Sequence, residues 1–199
     1  MIQHHSIIYV PGLGDTNLTS RQKLLNLWHF RNVSIEICSM KWSMDEPWHI
    51  KLDRLINRID QLKAEGNVVS LIGESAGASA AMHALRNRHQ VLHLVILLCG
   101  KSHYPERVSP RLYQRNPALK TSLVGADHIV QTLTESEGEK LLNLHPLFDP
   151  VVPVAETKIS GVRDSTMPMI GHATSIVFAN TLWSWRIVHF VRRHREAEK

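Results

Sequence analysis

Gly73-Glu74-Ser75-Ala76-Gly77 sets a hydroxyl between two glycines, at the point where an apolar run (residues 68–72) gives way to alanine-rich helix formers (residues 76–85). A strand that turns this sharply into a helix holds its central residue in strained backbone geometry. Bulky side chains two positions away would collide with the turn, so glycine is needed at both flanks. The turn lifts the serine hydroxyl above the sheet edge, and the following helix N-terminus directs partial positive charge at it. The chemistry on offer is nucleophilic attack by Ser75. The plain alternative is a tight structural connection. A strand before, a helix after, and the small residues Ala76, Ala78, Ser79 and Ala80, which let that helix approach the sheet, favour the nucleophile.

The elements that must hold this turn are legible in the hydrophobic pattern. Strand-like runs cover residues 6–10, 33–38, 68–72, 91–98, 140–144 and 158–162, with helical patterns or long connections between them. Such alternation specifies a parallel sheet covered by helices on both faces. One predicted helix spans residues 20–30, its apolar face built from Leu24, Leu25, Leu27 and Trp28. A second opens at Asp45-Glu46-Pro47, with an acidic N-cap and proline in the first turn, and stops at Gly66. A third runs from the serine turn to about Asn87, and a last one covers residues 173–193. Residues 101–135 differ. They are polar, carry Pro105, Pro110 and Pro117, and hold one helical pattern from Asn116-Pro117 to about Leu133. This stretch is expected to be a lid or cap insertion over the sheet's carboxyl edge, where substrate loops sit. The expected architecture is α/β: one domain over residues 1–199, a three-layer α/β/α sandwich around a mostly parallel six-stranded sheet.

Bulk composition narrows the function classes. A chain of 199 residues with 43% hydrophobic content can bury a substantial core. The N-terminus has no cationic stretch followed by a long apolar segment and cleavage site, so no signal peptide is expected. The longest apolar run is far short of the ~20 residues that span a bilayer. Cys38 and Cys99 each end a strand-like run and are expected to be reduced, buried thiols. Together these features lead us to expect a cytoplasmic protein. The net charge of +5 is scattered, apart from Arg192-Arg193-His194-Arg195, which suits the dipole of a helix C-terminus. Without interleaved aromatic and basic residues, no nucleic-acid partner is expected. Metal-ligand spacings are absent, Gly12-Leu13-Gly14 lacks the third glycine of a dinucleotide fingerprint, and there is no phosphate loop, so neither a metal nor a cofactor is expected.

From the serine turn outward, nearly the whole chain resembles the α/β-hydrolase superfamily. The resemblance rests on four stretches: Tyr9-Val10-Pro11-Gly12-Leu13-Gly14-Asp15 as an oxyanion loop, the Ser75 elbow, Leu147-Phe148-Asp149-Pro150-Val151-Val152-Pro153 as the acid loop, and Ile170-Gly171-His172-Ala173. The order serine, aspartate, histidine is the one this fold uses. Pro11 stands where many relatives have histidine, and the chain resembles compact members without leading antiparallel strands. Glu74 beside the serine also occurs in esterase-like relatives, whose HGGG-type loop is absent here.

What the resemblance implies is acyl-transfer chemistry. His172 would take the serine proton and Asp149 would orient the imidazole. Backbone amides of Leu13 and Ala76 would receive the oxyanion, with Gly12 and Gly14 allowing close approach to substrate. Asp164 is a rival acid, but only seven residues separate it from His172, too few for a loop, a strand and a second loop; Asp149 leaves 22. Trp42 and Tyr104 are candidate pocket residues, with core or surface packing as the competing role. The expected function is a serine hydrolase acting on a small-molecule ester or thioester, as a monomer or homodimer. An acyltransferase or amidase using the same residues, and a non-catalytic binding protein of this fold, are the alternatives.

Overall fold

The computed structural model describes residues 4–193. In chain order the elements are β1 (His5–Val10), α1 (Thr19–Leu25), β2 (Val33–Ile37), α2 (Trp48–Ala64), β3 (Val68–Glu74), α3 (Gly77–Arg88), β4 (Leu92–Leu98), a 3-10 turn (Pro105–Arg107), α4 (Pro110–Arg115), α5 (Pro117–Gln131), α6 (Glu135–Glu139), β5 (Leu141–Phe148), a second 3-10 turn (Val154–Glu156), β6 (Arg163–Ile170), α7 (His172–Asn180) and α8 (Ser184–Arg193). The six strands form one sheet in the order β2-β1-β3-β4-β5-β6, and every pairing is parallel.

Strand side chains alternate between two cores, as a period of two requires when both faces are covered. Ile8, Val10, Val69, Leu71, Val95 and Leu97 pack with α2, α3 and α5. Ile7, Tyr9, Ile72, Leu94, Ile96 and Leu98 pack with α1, α7 and α8 on the other face. The expected three-layer α/β architecture is the one observed. After β2 the chain crosses to the opposite side of β1, which opens a crevice at the carboxyl ends of β1 and β3.

Several predicted boundaries are corrected. The last strand is β6 at Arg163–Ile170, not residues 158–162, which form a turn around Gly161 at φ +75°. Its sequence, RDSTMPMI, escapes a hydrophobic reading because β6 is an edge strand whose only fully buried side chain is Met167. Pro168 is tolerated there for the same reason. The last helix is two helices. Trp28 Nε1 donates to the Asn180 carbonyl at 2.9 Å where α7 ends, and the amide of Ser184 bonds to the Thr181 carbonyl at 3.2 Å. The first helix ends at Leu25, short of Phe30. In α2 the residue before the first turn is Pro47; Asp45 does not cap it, and Glu46 pairs with Arg54 at 2.7 Å. The short helix α6 was not foreseen, and neither was the extension of β5 to Phe148.

Residues 101–135 divide in two. α5 belongs to the core layer: Leu119, Leu123, Ala126 and Ile129 are buried, and Ser122 Oγ meets Ser79 Oγ of α3 at 2.7 Å. The stretch before it, with the first 3-10 turn and α4, overlies the carboxyl edge of the sheet. Cys38 and Cys99 are buried free thiols. Arg192 and Arg193 close α8, where Arg192 Nη2 reaches the Arg31 carbonyl at 2.8 Å; His194 and Arg195 of the basic tail lie outside the described residues. Among the described residues no helix is long and apolar enough to cross a membrane.

α3 lies so close to the sheet that a Cβ on Gly77 would stand 2.1 Å from the Val10 carbonyl oxygen. That oxygen belongs to the backbone, so the clash is relieved only by moving the helix or the strand end. Gly77→Ala is therefore expected to destabilise the fold by about 3 kcal/mol or more. A urea midpoint close to wild type would show that the helix can retreat.

Candidate active site

Four loops converge above the carboxyl edge of the sheet, each following a strand. Ser75 follows β3, Cys99 follows β4, Asp149 follows β5, and Gly171-His172 follows β6. Ser75 has φ +51°, in the left-handed region that a non-glycine residue occupies only under strain, and its amide is held by the Leu98 carbonyl at 3.0 Å. That geometry places the hydroxyl at the head of α3. Gly12 of the β1 loop lies against it, since a Cβ there would come within 2.8 Å of the Ser75 Cβ.

His172 Nε2 lies 2.9 Å from Ser75 Oγ, and His172 Nδ1 lies 2.7 Å from Asp149 Oδ2. A carboxylate can only accept, so Nδ1 carries a proton, and in the neutral imidazole Nε2 then offers its lone pair to the serine. Asp149 Oδ1 accepts the amides of Val151 at 2.8 Å and Val152 at 2.9 Å, which fixes the carboxylate plane. Burial pushes the Asp149 carboxyl up, but His172 and these two amides outweigh it and hold the group below the ordinary carboxylate range. Its folded-state pKa is thus below the unfolded value of ~3.9, so its contribution to stability is present above that pH and disappears as pH falls through the folded value. Wild type is expected to lose stability between pH 7 and pH 3 by more than Asp149→Asn does, in urea unfolding at the two pH values. Equal losses would deny Asp149 this role.

Among the described residues, no hydrogen bond within the protein engages the amide of Leu13 or Ala76. Both residues line, with Ser75, a cavity of about 300 Å³. Lys101, Arg107, Val108, Ser109 and Leu112 line it together with Glu156, Leu119 and Leu123 of α5 line it further, and Pro150–Pro153 complete the lining. Gly12 is buried at the site, and Gly14, at φ +78°, is exposed on the same loop.

The two aromatic pocket candidates sit elsewhere. Trp42 is fully buried and does not line the cavity: its Nε1 donates to the Pro11 carbonyl at 3.1 Å, and its ring stacks on Trp48 at 6.0 Å. It supports the β1 loop from beneath because the loop's own Asp15 accepts the amides of Lys41 at 2.7 Å and Trp42 at 3.1 Å. Tyr104 is not a lining residue either; at φ +55° it places its ring under the Arg107 guanidinium, 4.5 Å from the ring centre.

Some site residues left no mark in sequence spacing. Glu74 is 2% exposed and accepts from Tyr9 Oη at 2.6 Å, from Arg21 Nε at 3.0 Å and Nη2 at 2.6 Å, and from the Gly12 amide at 3.3 Å. Asn180 Nδ2 donates to Tyr9 Oη at 2.8 Å. Burial, then the Glu74 carboxylate, push the Tyr9 phenol well up, so it stays a donor. Cys99, at φ +48°, forms with Asp149 and His172 a group whose ligand-type atoms lie within 4.8 Å of one another. Burial and the neighbouring Asp149 and Glu74 carboxylates push its thiol up, and it stays protonated. In this group the Asp149 and His172 donor atoms face each other.

The sequence matches no protein-family model and no curated protein. The structure is similar to several solved ones. An alpha/beta hydrolase enzyme from the metagenome of sediments of the Mar Chica lagoon superposes with a TM-score of 0.65 at 12% identity, over 97% of this chain and 93% of that one. Est1E from Butyrivibrio proteoclasticus gives 0.62 at 16% identity, over 94% and 89%. A thermophilic esterase from Thermogutta terrifontis gives 0.63 at 13% identity, over 96% and 91%. With this sheet order, the serine turn after β3 and likeness over nearly its full length to these structures, the chain has the α/β-hydrolase fold.

Proposed function

We propose that the protein is a serine hydrolase that cleaves a small carboxylic ester or thioester through an acyl-enzyme. What carries this reading is the continuous hydrogen-bonded chain Ser75–His172–Asp149, whose serine lines the cavity. Ser75 Oγ attacks the carbonyl carbon as its proton passes to His172 Nε2, and Asp149 stabilises the resulting imidazolium. The carbonyl oxygen becomes an oxyanion and accepts from the amides of Leu13 and Ala76. A lost donor of this kind typically costs ~3 kcal/mol of transition-state stabilisation. The intermediate collapses, the alcohol or thiol leaves with the proton from Nε2, and the acyl group stays on Ser75. Water then attacks by the same proton path and releases the carboxylic acid. The similarity to esterase structures favours the same reaction class.

A fluorophosphonate probe tests the reading. It is expected to label the folded wild type at Ser75 and to leave Ser75→Ala unlabelled. A folded wild type that takes no label would overturn it.

A further inference from the structure

The cavity beside Ser75 is not uniformly apolar. Three of its lining side chains are ionisable: Lys101, Arg107 and Glu156. Glu156 takes one cation on each oxygen, Lys101 Nζ on Oε2 and Arg107 Nη1 on Oε1 at 2.9 Å. The carboxylate therefore serves both cations and leaves the wall with one more positive charge than negative. Lys101 has no other hydrogen bond from its ammonium among the described residues, and its side chain is only 11% exposed. Arg107 leaves Nη2 without a hydrogen bond among the described residues; beyond Glu156, its ionic contact is Nε with the outlying Glu106 at 3.8 Å. The Tyr104 ring supports its guanidinium from below. Position matters as much as charge. The Lys101 amide donates to the Ser75 carbonyl at 2.9 Å, so the cationic wall is built directly onto the nucleophile turn. Apart from the hydroxyls of Ser75 and Ser109, the rest of the lining, with Leu13, Val108, Leu112, Leu119 and Leu123, is apolar. A cavity that is mostly apolar and cationic at one wall fits a chain ending in an anion, because a carboxylate there gains charge-assisted hydrogen bonds from the shielded Lys101 and from Arg107, 55% exposed at the rim.

Building on the hydrolase reading above, we propose that the substrate is an anionic ester: an aliphatic acyl chain bearing a second carboxylate, held by Arg107 and Lys101 while Ser75 attacks the ester carbonyl. Glu156 holds the two cations side by side, and Arg107 sets the specificity.

The test compares 4-nitrophenyl hydrogen adipate and suberate with their neutral methyl esters, following 4-nitrophenol release by the full chain. The charged half-ester is expected to be preferred about tenfold in kcat/KM at low salt, as hydrogen bonds to charged groups allow. The preference shrinks as salt rises, since Arg107 is partly exposed. In Arg107→Ala the ratio of the two rates falls toward one, and in Glu156→Gln it rises. A protein that labels with fluorophosphonate yet does not favour the half-ester overturns the anionic substrate class alone, and an unchanged ratio in a folded Arg107→Ala overturns the role of Arg107. Failure of both labelling and turnover overturns the hydrolase reading itself.

Discussion

Alanine at Ser75 is expected to lower kcat on any cleaved ester by on the order of a millionfold, and alanine at His172 by as much, while the double variant is no slower than either single one. The reason is geometric. Attack needs the oxygen of Ser75 and the lone pair of His172 Nε2 in one event, and the two lie 2.9 Å apart. Once either is gone, the other has nothing left to contribute. Asp149→Asn keeps the shape but presents a group able to hold the imidazole in the wrong tautomer, so a loss of about 10⁴ is expected. Residual turnover would come from binding and the amides of Leu13 and Ala76. Single-turnover release of 4-nitrophenol measures all three. Multiplicative losses in the double variant, or a His172→Ala protein within tenfold of wild type, would show that the two residues act independently.

The second large effect concerns Glu74, whose carboxylate collects Tyr9, Arg21 and the Gly12 amide in a site only 2% exposed. Glu74→Ala removes the acceptor and leaves a guanidinium, a phenol and an amide facing an empty volume. The expected loss is about 3 kcal/mol, the lower end of the range for a broken buried pair because Arg21 is itself 24% exposed. Arg21→Met in the same chain is expected to restore part of it, since the uncompensated cation is the main penalty. Urea unfolding of the three proteins decides this: a Glu74→Ala midpoint equal to wild type, or a double variant no more stable than Glu74→Ala, contradicts it. Activity should suffer too. Arg21 Nη2 reaches the Leu13 carbonyl at 3.5 Å, so the clamp that holds Gly12 also holds the loop that offers the Leu13 amide.

How much of this was readable from residue order follows from which interactions are local. The turn at Ser75 could be read because its glycines, its strand and its helix are contiguous; Asp149 and His172, picked out by their order along the chain, are brought into hydrogen-bonding distance of each other and of Ser75. The Glu74 clamp could not: Tyr9, Arg21 and Asn180 come from three distant elements, and no spacing relates them. β6 was misplaced because an edge strand needs only one buried face, and Met167 alone carries it. Residues 158–162 looked more strand-like and turned out to be a turn. Trp42 drew attention as a large aromatic after a strand end, but its indole serves the carbonyl of Pro11, a contact made 31 residues away. The indole of Trp28 likewise meets the Asn180 carbonyl at the end of α7, 152 residues away.

The position of β6 has a consequence for how this protein would lose activity. Ser75 stands on β3, a central strand buried along almost its whole length, whereas His172 is delivered by a strand with one neighbour and mostly exposed side chains. Stability is not shared evenly over a sheet, and outer strands open in fluctuations that leave the middle intact. Fraying of β6 would carry His172 away from Ser75 while both cores stayed closed. Warming or mild denaturant should then silence the protein at a milder condition than the one that unfolds it. Amide exchange is expected to report the same order, with β6 protons traded for deuterium well before those of β3; simultaneous exchange of the two strands would mean that inactivation and unfolding are one event.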